Sequence, residues 1–207
     1  MSEDIIRDQV DYYRARAGEY DEWFLRQGRY DHGPELNNRW FADAELVRSA
    51  LDAFAPRGDV LELACGTGLW SQHLARHADR LLAVDSSQEV IAINRQRLGA
   101  PDHVVYQQAD IFSWDPDCRY DVVFFSFWLS HVPADRFDAF WHTVRSALRD
   151  GGRFFLIDSL YNPTTTARNH VLRGREATVQ GRRLNDGRTY QIVKIYYEPD
   201  DLAARLH

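Results

Sequence analysis

The chain has 207 residues, 44% of them hydrophobic and 27% charged, with a formal net charge of −6. That length suits one domain, residues 1–207, with a sizeable core. The acidic balance excludes a bulk attraction to polyanions, and no apolar run approaches the roughly 20 residues that span a bilayer. Neither a nucleic-acid nor a membrane partner is expected, and oligomeric state is not readable. Arg173, Arg175, Arg182, Arg183 and Arg188 cluster in sequence without aromatic interleaving, and read as a solvated face. Cys65 and Cys118 form neither a metal-ligand spacing nor a disulfide framework. The first ten residues, MSEDIIRDQV, are acidic and lack the apolar stretch of a signal peptide, so the cytoplasm is the expected compartment.

Residues 4–27 read as a helix, with Ile6, Val10, Tyr13, Ala17 and Tyr20 at helical spacing and Gly18 as an interruption. A loop follows, then a second helix over 34–54, with Pro34 suited to its first turn. Neither helix belongs to a minimal nucleotide-binding sheet, so residues 1–54 are expected to form a lid. Val60 to Leu63 is a strand that breaks into the turn Ala64-Cys65-Gly66-Thr67-Gly68, with a helix over 69–77 behind it. Strand and helix then alternate. A strand over 80–85 precedes a helix over 88–98, which stops at Gly99. A third strand covers 104–108, and a nearly continuous apolar run, YDVVFFSF, makes a fourth over 120–127. A helix over 134–148 carries Phe137, Phe140, Trp141, Val144 and Leu148 on one stripe, and a fifth strand covers 153–158. Repeated βα units imply an α/β fold with a doubly wound, mostly parallel, Rossmann-like sheet. Residues 55–160 form that core. Beyond it, residues 179–184 and 188–197 read as a hairpin turned at Asn185-Asp186-Gly187, before a short helix over 201–206.

The chemistry concentrates at the turn. Gly66 and Gly68 carry no Cβ, so a ligand can approach the backbone closely, and the helix behind presents unpaired N–H groups. Asp85 ends the second strand, about 17 residues past Gly68, where a carboxylate can accept hydrogen bonds from ribose hydroxyls. Both a dinucleotide and S-adenosylmethionine satisfy that logic. The dinucleotide fingerprint needs a third glycine, and here Gly66-Thr67-Gly68-Leu69-Trp70-Ser71 ends in serine.

Glu62-x-Ala64-x-Gly66-x-Gly68 resembles the E/D-x-G-x-G-x-G motif of class I S-adenosylmethionine-dependent methyltransferases, with alanine at the first glycine. LLAVDSS at 81–87, QQADIFSW at 107–114, YDVVFFSFWLSHVP at 120–133 and LRDGGRFFLIDS at 148–159 match the same pattern in order. The resemblance covers residues 55–160 and implies S-adenosylmethionine as cofactor. It implies that Glu62, Ala64, Gly66 and Gly68 form the turn against its methionine part, that Asp85 takes the ribose hydroxyls and that Ser86 lies beside the adenine. Asp110 would accept the adenine amino group and Ile111 would pack on the ring. The segment YYRARAGEYDEW, at 12–23, resembles the N-terminal cap of small-molecule methyltransferases, with Tyr20 the preferred cofactor contact and a sulfonium attracted to aromatic faces. Phe127 is placed at the cofactor's edge, and Phe127, Trp128 and Tyr161 are candidates for an acceptor wall.

The implied activity is methyl transfer to a small-molecule acceptor, with a hydroxyl oxygen the expected site. His131, just past the fourth strand, is the candidate general base for such a hydroxyl. Scattered histidines offer no metal cluster. The absence of an NPPY-like tetrapeptide at Ser126-Phe127-Trp128-Leu129 argues against amide N-methylation of nucleic acid or protein. Class I members usually continue into two final antiparallel strands; either the chain is truncated, the favoured expectation, or the hairpin takes their place on the sheet. A non-catalytic binding module, a truncated inactive methyltransferase or, less favoured, an NAD-dependent oxidoreductase are the alternatives.

Overall fold

The computed structural model describes residues 3–206. Five parallel strands form the central sheet: β1 (Asp59–Leu63), β2 (Arg80–Asp85), β3 (Val104–Gln108), β4 (Tyr120–Ser126) and β5 (Leu148–Ile157). Their order is β3-β2-β1-β4-β5, so the winding reverses between β1 and β4. A crevice opens at the carboxyl ends of the strands at such a reversal. β4 is buried on both faces, as its apolar run requires.

Helices cover both faces. α2 (Pro34–Phe54) begins at Pro34 and places Ala44 and Leu51 against one face with Val60, Trp70, Leu81 and Phe124. α5 (Phe137–Ala147) places Phe137, Phe140, Trp141 and Val144 against the other, around Phe125 and Leu61. Between β1 and β2 the helix α3 (Ser71–Leu74) is shorter than the pattern of residues 69–77 suggests, because turns flank it. α4 (Gln88–Leu98) starts where Ser87 Oγ accepts the Val90 N–H and stops at Gly99 in the left-handed region, φ 70°.

The N-terminal segment departs from a continuous helix. α1 (Glu3–Ala15) ends before Gly18, and residues Ala17–Glu22 tighten into a 3-10 segment. Asp21, inside that segment, is bonded to Thr67 and Arg97, so tertiary partners override the helical spacing of Ala17 and Tyr20. The hairpin forms as expected, β6 (Val179–Arg183) against β7 (Thr189–Val193), with Gly187 at φ 94° in its turn. It makes its own two-stranded sheet and does not join β5, so it does not stand in for final strands of the central sheet. Instead Leu184 and Ile192 pack on Tyr12 of α1. α6 (Pro199–Leu206) follows and buries Leu202 beside α5.

Candidate active site

The turn after β1 is held in conformations few side chains tolerate. Ala64 and Gly66 both have φ 53°, and Gly68 has φ 87°. Alanine at 64 keeps the left-handed backbone at a cost of about 1 kcal/mol. At Gly68 a Cβ would lie 2.5 Å from Asn94 Oδ1, so glycine there is a packing requirement. Asn94 is fully buried in α4 and fastens the turn from below. Its Nδ2 donates to Ser71 Oγ at 2.8 Å and to the Gly66 carbonyl at 3.3 Å, and its Oδ1 accepts from the Tyr106 hydroxyl at 3.1 Å.

Asp85 fastens the turn from the side. Its Oδ2 accepts the Gly66 N–H at 2.9 Å and its Oδ1 the Ser87 N–H at 3.0 Å. Burial raises its pKa, against the pull of those backbone donors. The Ser86 backbone N–H also acts on the carboxylate, which lines a cavity of about 710 Å³ and keeps an acceptor site beyond these three donors. Asp110 lines the same cavity and accepts the Phe112 N–H with Oδ1, at 3.0 Å. Ala64, Gly66, Ser86 and Ile111 complete the floor and one wall. Phe127, at φ 52° just past β4, and His131 close the far side.

Two residues of the motif lie elsewhere. Glu62 and Gly68 are not part of the cavity wall. Glu62 is 1% exposed beneath the turn, where it accepts from Ser71 Oγ at 2.5 Å, and burial pushes its carboxyl up to about 8. Glu62 holds the turn through Ser71, and Gly68 packs the turn against Asn94.

α1 and the 3-10 segment roof the cavity through Gln9, Val10, Tyr13 and Tyr20. The Tyr20 ring passes 3.9 Å from where a Gly66 Cβ would stand. The segment is tied to the turn: Thr67 Oγ1 donates to Asp21 Oδ1 at 2.5 Å, Arg97 pairs with Asp21, and Arg97 also donates to the Thr67 carbonyl at 2.7 Å. α2 takes no part in this roof, because its buried face is spent on the sheet.

A second cavity, of about 660 Å³, shares Tyr13, Tyr20, Phe127 and His131 with the first. Its own wall carries Arg16, Arg182 and Lys194, and none of its lining residues is a carboxylate. Lys194 is buried, donates to Ser130 Oγ and Ser159 Oγ, and lies 3.5 Å from Asp158. Arg16 is 8% exposed and has no carboxylate partner among the described residues. It donates to the Tyr30 hydroxyl at 3.2 Å and lies 4.8 Å from the Tyr20 ring centre, while its Nε and the Tyr12 hydroxyl find no partner. His170, on the same wall, is held to a pKa of about 4 by burial and by the nearby Arg182. Arg182 is thus a cavity residue, not part of a solvated face. Arg16, Tyr13 and Lys194 were not singled out by motif. The four-residue spacing of Tyr12, Arg16 and Tyr20, and the alternation of Ile192 and Lys194, were the available signals.

His131 sits between the cavities, 6% exposed. Its Nδ1 is 2.6 Å from the Val193 carbonyl and its Nε2 is 2.8 Å from the Tyr13 hydroxyl. Burial and the Lys194 charge push its pKa well below the usual imidazole range, so the ring is neutral. With both nitrogens engaged, it has no free lone pair for a substrate proton in this arrangement. Trp128 lines the first cavity, whereas Tyr161 lines neither. Among the described residues no group of three His, Cys, Asp or Glu could hold a metal, and no helix is long and apolar enough to cross a membrane.

Residues 60–152 match the family described as a methyltransferase domain. The chain is 28% identical to the ubiquinone biosynthesis O-methyltransferase of Xanthomonas euvesicatoria pv. vesicatoria, over 88% of this chain and 79% of that protein. It also matches nodulation protein S of Rhizobium tropici (28% identity, 34% of this chain) and of Azorhizobium caulinodans (25%, 59%), and spans only 30% and 58% of those proteins. Among solved structures, the DhpI complex with S-adenosylhomocysteine is 40% identical over 100% of this chain and 87% of DhpI, with a TM-score of 0.79. The DhpI complex with S-adenosylmethionine and HEP aligns at 0.80, over 100% of this chain and 89% of DhpI. The reversed parallel sheet, the fastened turn and this likeness together place the chain in the class I S-adenosylmethionine-dependent methyltransferases, with S-adenosylmethionine as its cofactor.

Proposed function

We propose that the protein transfers the cofactor's methyl group to an oxygen of a small anionic molecule held in the second cavity. The observation that carries this reading is Arg16, a buried guanidinium with no carboxylate partner among the described residues, facing a cavity that Arg182 and Lys194 also line. A buried charge without a partner is costly, and an entering anion relieves that cost. The same cationic wall repels an ammonium acceptor, which favours oxygen over an amine nitrogen. One relative points the same way on oxygen, being named an O-methyltransferase.

The first cavity suits the adenosyl part. In this reading Asp85 accepts from the ribose hydroxyls, Asp110 accepts the adenine amino group, and Ile111 packs on the ring beside Ser86. Gly66 and Ala64 let the methionine part lie on the turn, and Tyr20 and Phe127 cover it. The cofactor, when bound, supplies an already activated methyl group. The chain's task is then to align the acceptor oxygen and keep water out. Arg16 and Arg182 orient the anion, and Tyr13, Tyr20 and Phe127 wall the junction. An acceptor oxygen that already carries negative charge needs no base, consistent with the engaged ring of His131.

Calorimetry with S-adenosylmethionine, followed by S-adenosylhomocysteine release across paired acceptors, tests this. The pairs are small phosphonates, phosphates or carboxylates and their neutral amide or ester counterparts. The anions should be turned over with the lower KM. Equal turnover of the neutral partners would sink the anionic reading.

A further inference from the structure

The two cavities meet at four residues, and one of them has its hydroxyl orientation dictated by its neighbours. A backbone carbonyl only accepts, so the 2.6 Å contact between His131 Nδ1 and the Val193 oxygen requires the proton on Nδ1. The ring is buried and neutral, so Nε2 carries a lone pair. The Tyr13 hydroxyl, 2.8 Å from Nε2, must then donate to it. Its single proton is used, and its oxygen turns only lone pairs toward the junction.

We propose that the Tyr13 oxygen is the group that faces the transferring methyl, and that His131 is the positioning residue that holds it in that sense. This rests on the reading that the first cavity holds the cofactor and the second the acceptor. Methyl hydrogens on a sulfonium carry positive charge, and an oxygen lone pair attracts them through a weak C–H···O contact. A hydroxyl free to rotate would instead point its proton at the acceptor and hold the anion off line. The pair is braced from outside. Gln9 Nε2 donates to the His131 carbonyl at 3.1 Å, and Gln9 Oε1 accepts the Val193 N–H at 3.0 Å. α1, the loop after β4 and β7 are thereby locked around one tyrosine oxygen. Burial holds the Tyr13 phenol well above its ordinary pKa, so it stays a donor to His131 throughout the neutral range.

The test compares affinity for S-adenosylmethionine with affinity for S-adenosylhomocysteine, which lacks the methyl. Tyr13→Phe should lower the preference for the methylated form by about fivefold, leaving the homocysteine form bound as before. With methyl-labelled cofactor, the bound methyl proton resonance should move upfield in Tyr13→Phe. His131→Leu should reproduce both effects. His131→Gln should restore them in part, because a glutamine can donate to the Val193 carbonyl and accept from Tyr13. Equal weakening of both ligands, or an unchanged preference with an unmoved methyl resonance, would overturn the assignment in favour of a purely structural contact. An unsubstituted protein that binds neither ligand would overturn the parent reading along with it.

Discussion

The two cavities are built in opposite ways. The first is made mostly by successive strand ends: the turn after β1, the tip of β2 and the loops after β3 and β4, within residues 64–131 and capped by α1 and the 3-10 segment. The second is made by strangers. Arg16 comes from the end of α1, His170 from the loop after β5, and Arg182 and Lys194 from the hairpin. They meet because the hairpin docks on α1, with Leu184 and Ile192 against Tyr12 and the Val193 N–H on Gln9. A cavity of the first kind depends on backbone geometry, and one of the second on an interface between elements. Damage should therefore show differently: in cofactor affinity and global stability for the first, in acceptor KM for the second.

The largest expected effect belongs to Gly68→Ala. The new Cβ would meet Asn94 Oδ1 at 2.5 Å and Asn94 Cα at 3.2 Å, on a backbone at φ 87°. Overpacking and left-handed strain together should cost about 4 kcal/mol in chemical denaturation. Cofactor binding should fall with it. An alanine protein of ordinary stability would mean that the turn is not held by Asn94.

Glu62→Gln should act in the opposite direction. The unfolded chain sheds the Glu62 proton near its ordinary value of 4.5, whereas the folded chain keeps it to about 8. The unfolded state thus binds fewer protons between those limits, and stability falls as pH rises through that window. Glutamine removes the titration while still accepting from Ser71. At pH 8 the variant should be more stable by about 3 kcal/mol, with the gain fading toward pH 4.5. A gain that persists unchanged at low pH would have another cause.

Asp85→Ala separates the two cavities most directly. Loss of a charged acceptor should weaken S-adenosylmethionine by about 2 kcal/mol in calorimetry. Acceptor KM at saturating cofactor should hold. If both rise together, Asp85 acts through the shared wall and not through the ribose.

How far each region could be read follows from the same contrast. The strands and their parallel order, the turn, and the meeting of Asp85, Ser86, Asp110 and Ile111 on one crevice were legible, because a βα repeat places successive strand tips on one edge. The motif also marked Glu62 and Gly68, which hold and pack the turn through Ser71 and Asn94 while the cavity wall is made by their neighbours. It was nearly silent about the second cavity. Arg182 sits in a run of arginines whose other members are mostly at the surface, and no local pattern announces that the hairpin folds back onto α1. Helical spacing through Tyr20 also overran the true end at Ala15, because the bonds from Asp21 to Thr67 and Arg97 span 46 and 76 residues.

Arg182→Ala and Arg16→Ala probe the interface-built cavity. Each removes a charged donor from an anion and should raise acceptor KM by about tenfold, with S-adenosylmethionine affinity held within about twofold. Both line only the second cavity, and Arg182 is the cleaner probe because it lies on the hairpin, away from the segment that roofs the first. Arg16→Lys should recover little, because a lysine cannot reproduce the planar fork of donors. Should Arg16→Ala weaken the cofactor while Arg182→Ala does not, Arg16 belongs to the methionine carboxylate and the anion site narrows to the hairpin side.

The smallest expected effect lies at the seam. Asp21 is the only residue of the 3-10 segment that bonds the glycine turn among the described hydrogen bonds, through Thr67, and Arg97 pairs with it from α4. Its carboxylate and the Arg97 guanidinium are about a quarter exposed, so solvent screens much of their attraction. Asp21→Asn should therefore cost about 0.5–1 kcal/mol of stability at most. Its larger signature should be kinetic. A roof fastened to the floor must come loose before the cofactor leaves, so the variant should release S-adenosylhomocysteine about threefold faster in stopped flow. Acceptor KM should not move, because Arg182 and Lys194 stand on the other side of the junction. A release rate equal to that of the unsubstituted protein would show that the cofactor leaves without lifting the segment, and that the two cavities share a wall but not a gate.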